Sequence, residues 1–138
     1  MHIRPFDRRD TDAVIALWQT RGLTRPWNDP LKDIERKLAV LPELFLVGEL
    51  DGTVVATAMG GYDGHRGSVY YLAASEEHAG RGLGAAILGE LERRLTEMGC
   101  PKINLLVRGE NDGVLNFYDR LGYERHDSLS LGHRLIED

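Results

Sequence analysis

A single cysteine, Cys100, stands in 138 residues, so no internal disulfide can staple the chain and no cysteine-built zinc site can form in it. No metal is expected. No apolar run approaches the ~20 residues of a membrane span, and the opening MHIRPFDRRD lacks the apolar core of a signal peptide, so the expectation is a cytoplasmic protein with no membrane partner. Positive charge is also in short supply: 17 Lys and Arg against 22 Asp and Glu leave a net charge of −5. That balance argues against a general nucleic-acid surface and requires any anionic ligand to be met by local features. There is no low-complexity tract, repeat or linker. With 42% hydrophobic and 28% charged residues, the composition is that of one globular domain, residues 1–138, able to build its own core.

The order of elements follows from periodicity and punctuation. His2 to Arg4 reads as a short strand ended by Pro5. Asp7, Asp10 and Thr11 are cap residues for a helix through about Arg21 that buries Val14, Leu17 and Trp18. After the loop LTRPWNDP, Asp29 and Pro30 form an N-cap and first helical residue for a second helix, with Ile34, Leu38 and Leu41 on one face. The period then becomes extended: LFLVGEL and TVVATAMGG flank Asp51-Gly52, the signal of a tight hairpin. The turn YDGHRG leads to a strand SVYYLAA. A helix follows with Leu83, Ile87, Leu88, Leu91, Leu95 and Met98 on its apolar side. Lys102 to Val107 reads as a strand, Asn111 to Leu121 as a helix, and Tyr123 to His126 and Ser128 to Arg134 as two last strands. The string βααβββαβαββ predicts an α/β (α+β) fold, a mixed but mostly antiparallel sheet of about seven strands flanked by four helices. Its parallel pair is expected to end near Ala73 and Val107.

Between the third long strand and the apolar helix lies "HAGRGLG". The first amides of a helix have no partner within it, and the peptide dipoles concentrate positive charge there. Glycines at 80, 82 and 84 let the backbone curl around an anion, and Arg81 adds a charge. The plainer reading is a turn that caps a helix. No Gly-Lys-Ser/Thr follows, which sets aside a Walker-type loop. Gly80-x-Gly82-x-x-Ala85 fits a dinucleotide fingerprint loosely, but the glycines stand too far from their strand and the next strand ends without the ribose-binding acid.

A second motif runs from Asn111 through Tyr118 to Leu121-Gly122-Tyr123. Together with Ala79-Gly80-Arg81-Gly82-Leu83-Gly84, in this order, it resembles the GNAT superfamily of acyl-CoA-dependent N-acyltransferases. The resemblance extends over essentially the whole chain. Ala79 departs from it, standing where the family usually has Arg or Gln. The segments LTRPWNDP, DIERK and GGYDGHRG resemble a bacterial branch with generic acetyltransferase labels, and more distantly the ribosomal-protein N-terminal acetyltransferases.

The resemblance implies acetyl-CoA as cofactor and a primary amine, of a small molecule or a peptide N-terminus, as acceptor. It implies that the main chain of Leu72, Ala73 and Ala74 holds pantetheine, with an amide near Leu72 or Ala73 facing the oxyanion. The loop Ala79, Gly80, Arg81, Gly82, Leu83 and Gly84 would hold the pyrophosphate, Asn111 would contact the cofactor, and Tyr118 would serve as the catalytic acid. Trp27, Asn28 and Tyr62, near Trp18 and Asp29, are candidates for an aromatic acceptor site suited to a cation. Asp63, His65 and Glu49 are candidates for a base. A non-catalytic acyl-CoA sensor on the same fold is the alternative, and the sequence leaves room for a homodimer.

Overall fold

The Asp51-Gly52 step folds the chain back on itself, with Asp51 at φ 50° and Gly52 at φ 78°, and joins two neighbouring antiparallel strands of the sheet. The computed structural model describes residues 1–138. They divide into two units, residues 1–104 with Asp138, and residues 105–137.

In the first unit, β1 (His2–Pro5), β2 (Phe45–Leu50), β3 (Thr53–Tyr62), β4 (Gly67–Ala74) and β5 (Ile103–Asn104) form one sheet in the order β1-β2-β3-β4-β5. All pairings are antiparallel except β4 with β5. Helix α1 (Thr11–Thr20) follows a 3₁₀ turn whose N-cap, Asp7, exchanges capping-box bonds with Asp10. Asp10 also receives a forked pair from the Arg4 guanidinium at 2.8 and 2.9 Å, which ties β1 to the helix. Helix α2 (Pro30–Leu38) starts as its sequence requires, with Pro30 first and the Asp29 carboxylate accepting from Leu31 and Lys32.

Strand alternation separates two layers of core. Phe45, Val47 and Met59 project toward α1 and α2 and pack with Phe6, Val14, Leu17, Trp18 and Ile34. Helix α3 (Leu83–Glu97) packs on β2, β3 and β4, its stripe Leu83, Ile87, Leu88, Leu91 and Leu95 buried. Each such side chain contributes about 2 kcal/mol on leaving water. Gly60 lets this helix approach, because a β-carbon there would overlap the Leu91 methyls. Met98, expected on the stripe, is 40% exposed; the helix ends at Glu97 and Met98 is its C-cap.

The second unit contains helix α4 (Asp112–Arg120), capped by the Asn111 side chain on the Val114 amide. Tyr118 is buried and makes edge contacts with Phe117 and Tyr123.

The sheet has five strands, not the expected seven. Residues 123–126 and 128–134 form no strand, and Leu129 and Leu131 are exposed. Alternation becomes a strand only when a neighbour supplies a ladder, and no ladder reaches these residues. The parallel pair is also shorter and lies elsewhere. Gly67 pairs with Ile103 and Ser68 with Asn104, because the chain after α3 reaches the beginning of β4, where the Gly67 amide donates to the Lys102 carbonyl at 2.8 Å.

Candidate active site

Two interruptions of regular backbone organise the candidate site in the first unit. The first is the bend before α3. A 3₁₀ turn, Glu76–His78, leads to Ala79, and Gly80 and Gly82 take φ of 81° and 70°. Glycine holds this left-handed backbone without the strain a β-carbon imposes. A β-carbon at either position would meet no protein atom within 4 Å, so conformation rather than crowding calls for glycine. Gly82 is the N-cap and has no side chain to satisfy the helix. The Arg81 amide donates to the His78 carbonyl at 3.3 Å, while the amides of Gly82, Leu83, Gly84 and Ala85 find no acceptor in the protein. No acidic residue occupies the first turn of α3. His78 Nδ1 is buried without a hydrogen-bond partner. This concentration of unpaired donors, free of competing carboxylates in the first turn, fits a diphosphate.

The second interruption is in β4. Thr57 pairs with Ala73 and Met59 with Tyr70, so Tyr71 and Leu72 together face the single residue Ala58. This is a β-bulge, and Tyr71 sits in it at φ 51°. Its ring stacks on Trp18, centroids 3.7 Å apart, and its hydroxyl donates to Asp33 Oδ2 at 2.6 Å. Burial first, and then the Asp33 bond, raise the Tyr71 phenol above the ordinary tyrosine range. Ala73 and Ala74 remain in the β3 ladder.

The acceptor-side residues are dispersed. Trp18 is fully buried between Tyr71 and Phe45 and cannot line an open pocket. Trp27 is 58% exposed, and Asn28 lies beside it, its amide donating to the Arg25 carbonyl. The Tyr62 hydroxyl donates toward the carbonyls of Gly64 and Gly99 at 3.4 and 3.5 Å. The aromatic cluster that does form is Phe6, Phe45, Trp18 and Tyr71. Tyr71 is the residue that sequence reasoning passed over, since one tyrosine of a Tyr-Tyr pair carries no mark of a bulge.

The candidate bases Asp63 and Glu49 are each engaged by other groups. Asp63 accepts from the Arg66 and His65 amides at 2.7 and 2.8 Å, and those backbone bonds hold its carboxyl below the usual range. Glu49 accepts from Arg4 Nε at 3.1 Å and is lowered by that bond. Both are poor bases near neutral pH for the same reason, a partner that stabilises the carboxylate.

In the second unit, the Asn111 side chain accepts from the Val114 amide at 3.2 Å. Burial pushes the Tyr118 phenol up to about 12. Full transfer of that proton to a thiolate whose acid titrates near 8.5 is uphill by several kcal/mol, whereas a hydrogen bond from the neutral phenol is not.

The Acetyltransferase (GNAT) family model matches residues 13–123. A protein of Sodalis glossinidius named an acetyltransferase is 55% identical over 139 residues, spanning 100% of this chain and 98% of its own. An acetyltransferase of Yersinia pestis is 53% identical over 138 residues with the same shares. Among solved structures, Ard1 from Thermoplasma volcanium matches with a TM-score of 0.76 at 27% identity, over 88% of this chain and 80% of that one. AAC(6')-Iy, solved with the bisubstrate analog CoA-S-monomethyl-acetylneamine, matches at 0.79 over 98% of each chain with 16% identity, a likeness of fold alone.

Proposed function

Because the chain belongs to the acetyltransferase (GNAT) family, we propose that it moves an acetyl group from acetyl-CoA to a primary amine of a small molecule or of a peptide or protein N-terminus. The observation that carries this reading is the run of unpartnered amides from Gly82 to Ala85 at the start of a 15-residue helix. Residues 1–138 act as one acetyltransferase domain in it.

Acetyl-CoA, when bound, supplies an acetyl thioester. The amides of the Gly80–Gly84 bend and the Arg81 charge hold its diphosphate, and Ala79 contributes no side-chain bond. The main chain of Leu72 to Ala74 orients the pantetheine, with one of its amides donating to the oxyanion. Such a preorganised donor contributes a few kcal/mol. Asn111 adds a contact, and Tyr118, protonated at neutral pH, hydrogen-bonds the departing sulfur. Trp27 and Asn28 meet the acceptor. The engagement of Asp63 and Glu49 by other groups supports an acceptor that needs little help to lose its proton. An α-amine is about one-tenth neutral at pH 7, whereas a lysine amine is neutral well under once in a thousand.

Calorimetry with acetyl-CoA followed by a thiol-release assay over an amine panel tests the proposal. Turnover with α-amines supports it, and binding without turnover on any amine favours the acyl-CoA sensor instead. Tyr118→Phe is expected to lower kcat by about a hundredfold, a typical share for a positioned proton donor, with acetyl-CoA affinity unchanged. An unchanged rate removes Tyr118 from the chemistry.

A further inference from the structure

The bulge in β4 breaks a rule of local structure. A left-handed residue at a bulge is usually glycine, and a bulky side chain there is strained. Tyr71 occupies it at φ 51°. Strain of this kind persists only where surrounding contacts over-determine it, and it collects at functional sites.

Those contacts form a chain of three buried or half-buried groups. The Trp18 indole Nε1 donates to Thr57 Oγ1 at 3.0 Å. The same hydroxyl donates to the Tyr71 carbonyl at 2.8 Å. Trp18 and Thr57 are both fully buried. One hydroxyl can accept and donate at once, so the indole fixes the direction in which Thr57 gives its only proton. The Tyr71 ring then lies on the same indole, and its hydroxyl is held by Asp33. Carbonyl, ring and hydroxyl of one residue are each fastened separately.

The consequence lies in the next peptide. In a trans peptide the carbonyl and the following N–H point to opposite sides, and the chain contains no cis bond. Pinning the Tyr71 carbonyl onto Thr57, a β3 residue, therefore turns the Leu72 N–H away from β3. On that edge β5 pairs only with Gly67 and Ser68, so no ladder takes up the amide.

We propose that Thr57, oriented by Trp18, is a positioning residue that aims the Leu72 amide, through the Tyr71 carbonyl, at the acyl oxygen of bound acetyl-CoA. Thr57 touches no substrate and acts only through the backbone of Tyr71. Asp33 has the subordinate task of holding the ring so that the strained backbone cannot relax. This inference rests on the acetyl-CoA reading given above and assigns the oxyanion donor to one peptide within it.

The sequence provides a clean probe, because Tyr71-Leu72 is its one Tyr-Leu step. Labelling tyrosine at the carbonyl carbon and leucine at nitrogen gives a single amide cross-peak, that of Leu72, in a carbonyl-selected NMR spectrum. Adding acetyl-CoA is expected to move this peak in the wild type and in Thr57→Ser. In Thr57→Val, which keeps the shape and loses the hydroxyl, the peak is expected to move by less than about a third as much, and kcat to fall by about tenfold to a hundredfold. Affinity for acetyl-CoA by calorimetry should stay within about threefold. Should Thr57→Val fail to fold, Asp33→Ala gives a second arm: it keeps the Tyr71–Trp18 stack and the Tyr-Leu label, loses the Asp33 bond, and should reduce the same movement. An equal movement in wild type and whichever variant folds overturns the assignment. A stationary Leu72 peak in a wild type that binds acetyl-CoA overturns it as well. A wild type that gives no heat with acetyl-CoA defeats the cofactor reading itself, a result distinct from the other two.

Discussion

The bend before α3 and the bulge in β4 free backbone amides by opposite means. The bend removes side chains: Gly80 and Gly82 take left-handed backbone at no steric cost, and a helix start leaves its amides unpaired. The bulge adds a large side chain at a position that glycine would fill with less strain, and fastens it with Trp18, Thr57 and Asp33. A cradle for a diphosphate needs many donors and tolerates variation in each. A donor for one oxygen needs a single direction, and only packed side chains fix a direction.

The sharpest way to break this contrast is to put a side chain into the bend. Gly82→Val places a β-branched residue at φ 70°, where the β-carbon itself meets no protein atom within 4 Å beyond its chain neighbours. The protein is expected to fold with a loss of a few kcal/mol, while acetyl-CoA affinity by calorimetry falls by more than about a hundredfold, because the methyls enter the space between amides and phosphates. Unchanged affinity would show that the bend is only a turn.

The converse substitution, Tyr71→Gly, relieves the strained backbone but removes the ring from Trp18. Loss of the packed aromatic should outweigh the relief, for a net destabilisation of about 2–4 kcal/mol in urea unfolding. A stable variant would mean that the bulge, like the bend, depends on backbone freedom alone.

The smallest effect is on the alkaline side. Tyr71 holds its proton to higher pH in the folded protein than an ordinary tyrosine. Its contribution is complete below the unfolded phenol value of about 10 and is lost as pH rises beyond that. From about pH 9 to about pH 11, wild-type stability should fall more steeply than that of Tyr71→Phe, by at most ~1.4 kcal/mol per pH unit. Parallel curves would show that neither burial nor Asp33 raises the Tyr71 phenol in solution.

The two regions also differ in how far the sequence discloses them. Gly80, Arg81, Gly82 and Gly84 announce a backbone that must curl, and the apolar stripe from Leu83 to Leu95 announces the helix behind it; both are local patterns, legible without tertiary information. The cap at Asp29 and the Asp51-Gly52 hairpin are legible for the same reason. The bulge depends on a contact between residues 18, 57 and 71, which no local pattern reports. The sequence allows Trp18 to be core or to stand near the acceptor candidates, and only its full burial in the structure separates the two. The last strands failed from the opposite cause: the alternation of Ser128 to Leu131 is a local pattern, but a strand needs a neighbour that the alternation cannot supply.

Gly60 has a reach beyond its own strand. Helix α3 rests on it through Leu91, eight residues and ~12 Å along the axis from the bend at its N-terminus. A methyl added at position 60 would overlap the Leu91 side chain, so that either Leu91 or the helix that carries it would have to shift. The seating of helix α3 is thus set partly at a sheet residue far from the bend, and libraries built to vary the bend gain most by leaving that residue alone.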